Sequence, residues 1–73
     1  MTIEHQENPD GSLIVWSYPA SGDRYSYHFT EDLELTDKFH ITNPATSAEQ
    51  KTRVAPSITP NVRRYLDEHG FDY

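Results

Sequence analysis

The chain has 73 residues, no cysteine and a formal net charge of −6, from 12 acidic and 6 basic residues. This length predicts a single domain whose small core supplies about 3–5 kcal/mol of net stability, and the lack of thiols excludes disulfides and thiolate zinc sites. The acidic balance disfavours direct contact with nucleic acid or anionic membranes and favours a partner with a basic surface, unless the acidity only keeps a small protein in solution.

Residues 1–11 are polar apart from Ile3, and they lack the basic-then-apolar order of a secretory signal. We expect them to form a flexible arm that ends in a turn at Asp10 and Gly11. The sequence contains no apolar run long enough to span a bilayer, so the expected location is the cytoplasm. Residues 12–73 are expected to form the single small domain.

The segment from Ser12 to Phe29 is predicted to be the β-hairpin around which the domain is built. Two runs rich in β-branched and aromatic residues flank the loop Pro19–Asp23, in which Gly22 can take a positive φ. Opposite residues of a hairpin point to the same side of the sheet. The expected pairs are Val15 with Tyr27, Leu13 with Phe29, Trp16 with Ser26 and Ile14 with His28.

This register gives the hairpin a core face and a second face that carries Ile14, Trp16 and Tyr18 among polar neighbours. Two interpretations of the second face are open. It is either a small second core, covered by the C-terminal helix or by the segment from Val54 to Ile58, or an exposed binding patch, since Trp and Tyr are favoured in binding hot spots. A domain with one helix covers only one face of its sheet, which favours the binding patch.

A third strand is predicted within residues 33–42, after a turn at Glu31 and Asp32. Its apolar residues are all odd-numbered, so a continuous strand would place them on one side of the sheet; they are Leu33, Leu35, Phe39 and Ile41. Asp37 interrupts the run, and a bulge at Thr36 and Asp37 or a division into two short strands are the alternatives. The predicted fold is therefore α+β: a three-stranded antiparallel β-sheet, made of the hairpin plus the third strand, packed by one C-terminal α-helix.

Residues 43–52 lack periodicity and are expected to form a mobile loop, followed by an extended connector over residues 53–60. The segment from Thr59 to His69 is the one clear helix. Thr59 suits the N-cap, Pro60 the first helical position and Gly70 the position just after the helix. The expected buried stripe consists of Val62, Tyr65 and Leu66.

The charges of this helix oppose its macrodipole. Arg63 and Arg64 lie near the positive end, and Asp67 and Glu68 near the negative end. Each misplacement costs about 0.3–1 kcal/mol. The arrangement suggests that Arg63 and Arg64 serve a contact, although costs this small can also go unselected.

Four acidic residues follow the hairpin: Glu31, Asp32, Glu34 and Asp37. One interpretation is a charged edge strand that discourages sheet aggregation. The other is a docking strip for a basic partner, in which the edge backbone extends the partner's sheet. Mimicry of nucleic acid is a special case of the second interpretation.

The sequence offers no catalytic equipment, so we expect a protein that is not an enzyme. It has no Gly-x-Ser-x-Gly motif, no cysteine nucleophile and no glycine-rich phosphate loop, and a core this small leaves little room for a pocket that excludes water. Its four histidines are scattered, and only His28 and His40 share the polar sides of neighbouring strands. We therefore predict no catalytic residues, no cofactor and no tightly bound metal.

In size, acidity and lack of catalytic residues, the chain resembles the small phage-encoded proteins that inhibit bacterial host machinery such as RNA polymerase. The resemblance lies in the profile of the whole chain. It implies a regulator of transcription that docks on a larger protein and inhibits it. The candidate partner-binding residues are Ile14, Trp16, Tyr18, Arg24, His28, Glu31, Asp32, Glu34, Asp37, Arg63 and Arg64.

The alternative function is a structural or homo-oligomeric protein whose aromatic sheet face is a subunit interface. The partner hypothesis expects the protein to be a monomer when free. A tight dimer that buries Trp16 would favour the alternative.

Overall fold

The computed structural model describes residues 2–43 and 50–73. The chain forms strands β1 Thr2–Glu7, β2 Leu13–Tyr18, β3 Arg24–Phe29, β4 Leu35–Ile41 and β5 Lys51–Val54, followed by helix α1 Pro60–Glu68. The strands form one antiparallel sheet in chain order. The α+β class is thus confirmed, but the prediction of three strands is wrong, because β1 and β5 add one strand at each edge.

Strand β1 forms from the segment that we expected to be a flexible arm. It pairs with β2 along its whole length, from Thr2 opposite Tyr18 to Glu7 opposite Leu13. An edge strand is held by backbone hydrogen bonds on one side, and most of its side chains stay in water. A polar sequence can therefore form such a strand. The turn that follows lies at the predicted position, where Gly11 has a φ of 90° and the Ser12 N–H donates to the Asp10 carboxylate.

Strand β5 likewise arises from residues that we assigned to the loop 43–52 and to the connector after it. Lys51 lies opposite Ile41 on β4, and Val54 lies opposite Lys38. The Thr42 N–H donates to the Gln50 carbonyl at 3.0 Å where the two strands meet. The expected mobility of the loop concerns residues 44–49, which lie outside the described residues.

The central hairpin of β2 and β3 has the predicted register. Leu13 pairs with Phe29, Ile14 with His28, Val15 with Tyr27 and Trp16 with Ser26. The odd-numbered members are buried together with Val62 and Leu66 of α1. The helix therefore covers the face that we predicted to be the core.

Strand β4 contains a β-bulge at Thr36. Leu35 lies opposite Phe29 and Asp37 lies opposite His28, so Thr36 is one extra residue on β4. An extra residue reverses the alternation of side chains beyond it. Leu35 consequently lies on the core face, whereas Phe39 and Ile41 lie on the other face. The expectation that all four apolar residues share one side is wrong for this reason, and Leu33 lies in the preceding turn with a φ of 63°.

Helix α1 begins and ends as predicted. The Thr59 hydroxyl accepts a hydrogen bond from the Val62 N–H, and Pro60 is the first helical residue. At the other end Gly70, with a φ of 81°, and the residue after it close a Schellman motif, in which the Phe71 N–H donates to the Leu66 carbonyl. Val62 and Leu66 are completely buried, and Tyr65 is half-buried. The apolar stripe of α1 therefore packs against the core face of the sheet.

Candidate functional site

The side of the sheet opposite α1 is the candidate site, and we call it the open face. It carries Thr2, Glu4 and Gln6 from β1, Ile14, Trp16 and Tyr18 from β2, Arg24, Ser26 and His28 from β3, Asp37, Phe39 and Ile41 from β4, and Lys51 and Arg53 from β5. Within residues 2–43 and 50–73, no helix or strand forms a second layer over it. Val54 and Ile58 do not cover it, because Val54 pairs with Lys38 on the core side and Ile58 packs against the core.

Aromatic side chains form the centre of the open face. Trp16 on β2 and Phe39 on β4 lie on either side of Ser26 on β3, which is only 2 % exposed. Trp16, Tyr18 and Phe39 are half-buried even though the face has no second layer among the described residues. Neighbouring side chains on the same face account for this partial burial.

Charged side chains from both edges shield the aromatic centre. The Lys51 ammonium lies 4.4 Å from the centre of the Phe39 ring, and Arg53 pairs with Asp37 at 2.8 Å. On the other side, the Tyr18 hydroxyl donates to the Glu4 carboxylate at 3.3 Å. Long charged side chains can cover apolar surface with their stems while their heads stay in water. Such a cover can move aside when another surface replaces the water.

The surroundings of the open face shift the pKa of two of its groups. Burial, together with the Glu4 carboxylate, raises the pKa of the Tyr18 hydroxyl, which therefore stays protonated and able to donate. Burial, together with the positive charge of Lys51, lowers the pKa of His28 below its usual value. His28, whose ring lies edge-on to Phe39 at 5.3 Å, is therefore neutral at pH 7.

The structure separates the predicted binding residues into three places. The open face brings together Ile14, Trp16, Tyr18, Arg24, His28 and Asp37. The turn between β3 and β4 exposes Glu31, Asp32 and Glu34, and the solvent side of α1 exposes Arg63 and Arg64. Because α1 lies on the core side of the sheet, one flat partner surface cannot contact the arginines and the open face at once.

The acidic residues do not form the charged edge that the sequence suggested. Strand β4 is an inner strand, because β3 pairs with one side of it and β5 with the other over Lys38–Ile41. Its backbone is therefore not available there to extend a partner's sheet. Asp37 lies on the open face and is engaged by Arg53, away from the exposed acids of the turn.

His28 and His40 lie on opposite faces of the sheet, so they do not share the polar side on which the sequence pattern placed both. The bulge at Thr36 turns His40 to the core side of the sheet, where it stacks on Tyr25 at 5.0 Å between ring centres. There it pairs with Asp23 at 2.9 Å, and this hydrogen bond lowers the pKa of the Asp23 carboxyl. The pair ties the β2–β3 loop to the end of β4.

Two other histidines do come together, at the end of α1. His5 Nδ1 lies 2.6 Å from the Tyr65 hydroxyl, and the His5 ring lies edge-on to His69 at 5.3 Å. A zinc ion is held by three protein ligands in catalytic sites and by four in structural sites. Across the described ranges, no group of three His, Cys, Asp or Glu side chains could hold a metal ion.

A groove of about 390 Å³ lies between β1 and α1. Its lining consists of Ile3, Asn61, Arg64, Tyr65 and Glu68. Arg64 and Glu68 are exposed to solvent, whereas groups that act as acids or bases are usually desolvated in a pocket. Tyr65 is the half-buried titratable group of this lining, and burial raises the pKa of its hydroxyl.

Several residues of the open face were missed by sequence reasoning. Phe39 and Ile41 were assigned to the wrong side because a continuous strand was preferred to the alternative of a bulge at Thr36 and Asp37. Glu4, Lys51 and Arg53 lie in segments that we assigned to an arm, a loop and a connector. A signal was present in the Lys-Thr-Arg-Val run of β5, where charged residues alternate with the period of a strand.

Comparison of the chain with protein-family models, curated proteins and solved structures found no match. Among the residues described by the structure, no helix combines the length and the apolarity needed to cross a lipid bilayer. What the protein does must therefore be inferred from the chemistry of the open face.

Proposed function

We propose that the chain is a small protein-binding module that docks its open face on a larger protein and modulates it, without catalysing a reaction. The observation that carries this proposal is the aromatic centre around Trp16, on a sheet face that has no second layer among the described residues. Trp, Tyr and Arg are the residue types enriched in binding hot spots, and Trp16, Tyr18 and Arg24 lie together here. An apolar centre with a charged rim matches the anatomy of protein interfaces.

The proposed partner is a larger protein with a basic surface. The net charge of −6 repels phosphates and anionic headgroups and would speed association with a basic protein. The turn that exposes Glu31, Asp32 and Glu34 adds negative charge at one end of the sheet. Inhibition of a large host enzyme such as RNA polymerase, as implied by the resemblance to small phage proteins, is one function of this kind.

Photo-crosslinking from two positions tests the proposal. A photoreactive phenylalanine replaces Trp16 on the open face in one variant and Arg63 on α1 in the other. We expect position 16, but not position 63, to crosslink to a partner protein, with purified bacterial RNA polymerase core enzyme as the first candidate. The affinity of the purified partner is then measured for wild type, Trp16→Ala and Arg63→Ala.

Truncation of a hot-spot tryptophan costs at least about tenfold in affinity. We therefore expect Trp16→Ala to weaken binding by that factor and Arg63→Ala to leave it unchanged. Crosslinks that arise only from position 63, or equal affinities for the three proteins, would show that the open face is not the docking surface.

A further inference from the structure

We propose that, in the absence of a partner, the open face binds the open face of a second copy of this chain about a two-fold axis parallel to the strands. The inference rests on the proposed function in one respect, since it uses the same docking surface. It adds a mode of regulation, because self-association and partner binding compete for Trp16 and its neighbours.

The order of residue types across the sheet carries the inference. One row crosses the open face from β1 to β5 and reads Glu4, Trp16, Ser26, Phe39, Arg53. The row has an acid at one end and a base at the other, an aromatic residue next to each, and a small residue in the middle. The reversed row therefore has the same types of residue in the same order, except that the acid and the base exchange ends.

A two-fold axis along β3 uses this pattern. Rotation about that axis exchanges β1 with β5 and β2 with β4, so Glu4 of one copy faces Arg53 of the other and Trp16 faces Phe39. The rim contact between Glu4 and Arg53 then joins opposite charges, and the two-fold symmetry makes it occur twice. A two-fold axis across the strands would instead place Glu4 on Glu4 and Arg53 on Arg53. Charge complementarity thus selects both the occupant and the orientation.

The middle of the row allows two sheets to approach closely. Ser26 lies on the axis and is 2 % exposed, so it adds no bulk between them. Sheets that pack face to face lie about 10 Å apart, with interdigitated side chains and a crossing angle of about 30°. Trp16 and Phe39 on the flanking strands are half-buried in the single chain and would fill that space from both sides.

The size of the face predicts a weak dimer. Five strands at a spacing of about 4.8 Å, with about 3.3 Å per residue along each strand, give a footprint of roughly 20 by 20 Å. This footprint of about 400 Å² is half of the roughly 800 Å² per partner that stable interfaces bury. We therefore expect a dissociation constant in the micromolar range or weaker, so that a tightly binding partner displaces the second copy.

For residues on the axis we predict the opposite effect from that at the rim: removing a charge there should strengthen the dimer. Arg24 and His28 lie on β3 and therefore face their own copies. His28 is neutral at pH 7 and adds no repulsion, whereas the two Arg24 side chains repel each other even though each also interacts with Tyr18. Arg24→Gln should consequently strengthen self-association by a few-fold, whereas a neutral substitution at the rim, Glu4→Gln, should weaken it by a similar factor.

A charge-reversal experiment tests the arrangement. Glu4→Arg and Arg53→Glu are prepared separately, and sedimentation velocity measures each alone and in an equimolar mixture. Each variant alone should dimerise about thirtyfold more weakly than wild type, because two symmetry-related exposed contacts change from attraction to repulsion. The mixture should regain dimers close to wild-type strength, since every rim contact between the two variants joins opposite charges.

Matched controls carry the same charge changes elsewhere. Glu7 lies on β1 but on the core side of the sheet, and Arg63 lies on α1. Neither Glu7→Arg nor Arg63→Glu should therefore alter dimerisation beyond the general effect of net charge. Because Arg53 also holds Asp37, circular dichroism checks that Arg53→Glu is folded. If it is not, Arg53→Gln replaces it, and its mixture with Glu4→Arg should regain part of the lost dimer, because one Glu4–Arg53 contact remains and no like charges meet.

Three outcomes would overturn the inference: a wild-type protein that stays monomeric at millimolar concentration, single variants that dimerise as well as wild type, or a mixture that stays monomeric. A partner that still crosslinks to position 16 after any of these results would leave the proposed function intact. Dimers that follow the charge rule without any partner at position 16 would instead support the inference and count against the larger partner.

Discussion

Deletion of Thr36 from the middle of β4 should leave the fold and the open face intact. Removing one residue from a strand normally moves every following side chain to the opposite face. Here Leu35 already lies opposite Phe29 and Asp37 already lies opposite His28. Without Thr36 these pairs become consecutive, so Phe39 and Ile41 stay on the open face and Leu35 stays on the core face.

The expected change in the free energy of unfolding is small. Thr36 is exposed, and its hydroxyl donates to the His28 carbonyl at 3.2 Å. Loss of such a hydrogen bond costs about 0.5–1.5 kcal/mol, and removing one ordered residue returns about 1–2 kcal/mol of backbone entropy. The two terms nearly cancel, so the deletion should change stability by no more than about 1 kcal/mol.

Deletion of Ser26 in β3 is the matched control. No bulge absorbs that deletion, so one half of β3 must slip by one residue. Either Tyr25, or Tyr27 and Phe29 together, then leaves the core face. Loss of a large aromatic side chain from a core costs about 3–5 kcal/mol, which is comparable to the whole net stability of a domain of this size.

Urea unfolding, followed by Trp16 fluorescence and far-ultraviolet circular dichroism, compares the two deletions with wild type. We expect a cooperative transition with an unchanged slope for the Thr36 deletion and little or no folded baseline for the Ser26 deletion. Equal destabilisation by the two deletions would refute the bulge and, with it, the assignment of Phe39 to the open face.

Three further predictions concern single residues. Phe29→Ala should destabilise the protein by about 3–5 kcal/mol because Phe29 is 3 % exposed in the core, whereas Phe39→Ala should cost clearly less, and urea unfolding of both variants measures the difference. Thr59→Ala should cost about 1 kcal/mol because it removes the N-cap of α1, and Thr59→Ser should restore most of that loss in thermal unfolding. Because the folded state lowers the pKa of His28, it disfavours the protonated form, so stability should be full above pH about 6.5 and fall as the pH drops below the pKa of an unfolded histidine. His28→Gln should flatten this part of the pH profile, and an unchanged slope would contradict the contribution of His28.

The parts of the fold that depend on neighbours in sequence were predictable. Helix α1 is bounded by Thr59, Pro60 and Gly70, whose backbone preferences act within a few residues. The hairpin register followed from the loop around Gly22 and from the alternation of β3. These local signals also place Ile14, Trp16 and Tyr18 on a face separate from Val15 and Tyr27.

The edge strands and the bulge depended on tertiary structure. Strands β1 and β5 are held by backbone hydrogen bonds to a neighbouring strand, and backbone bonding leaves little mark on side-chain pattern. The odd-numbered apolar residues of β4 fit a regular strand and a bulged one equally well. Only pairing with β3 put the extra residue at Thr36 and sent Phe39 to the open face.

Some residues of the candidate site could likewise be predicted from the sequence, and others could not. The sequence by itself determined that Trp16 and its neighbours on β2 are surplus to a core covered by one helix. The tertiary structure decided what surrounds them, because Glu4, Phe39, Lys51 and Arg53 reach the open face only through the pairing of β1, β4 and β5. The row with opposite charges at its two ends is therefore a property of the assembled sheet: its members lie far apart in the chain, and pairing brings them to strand-to-strand spacing.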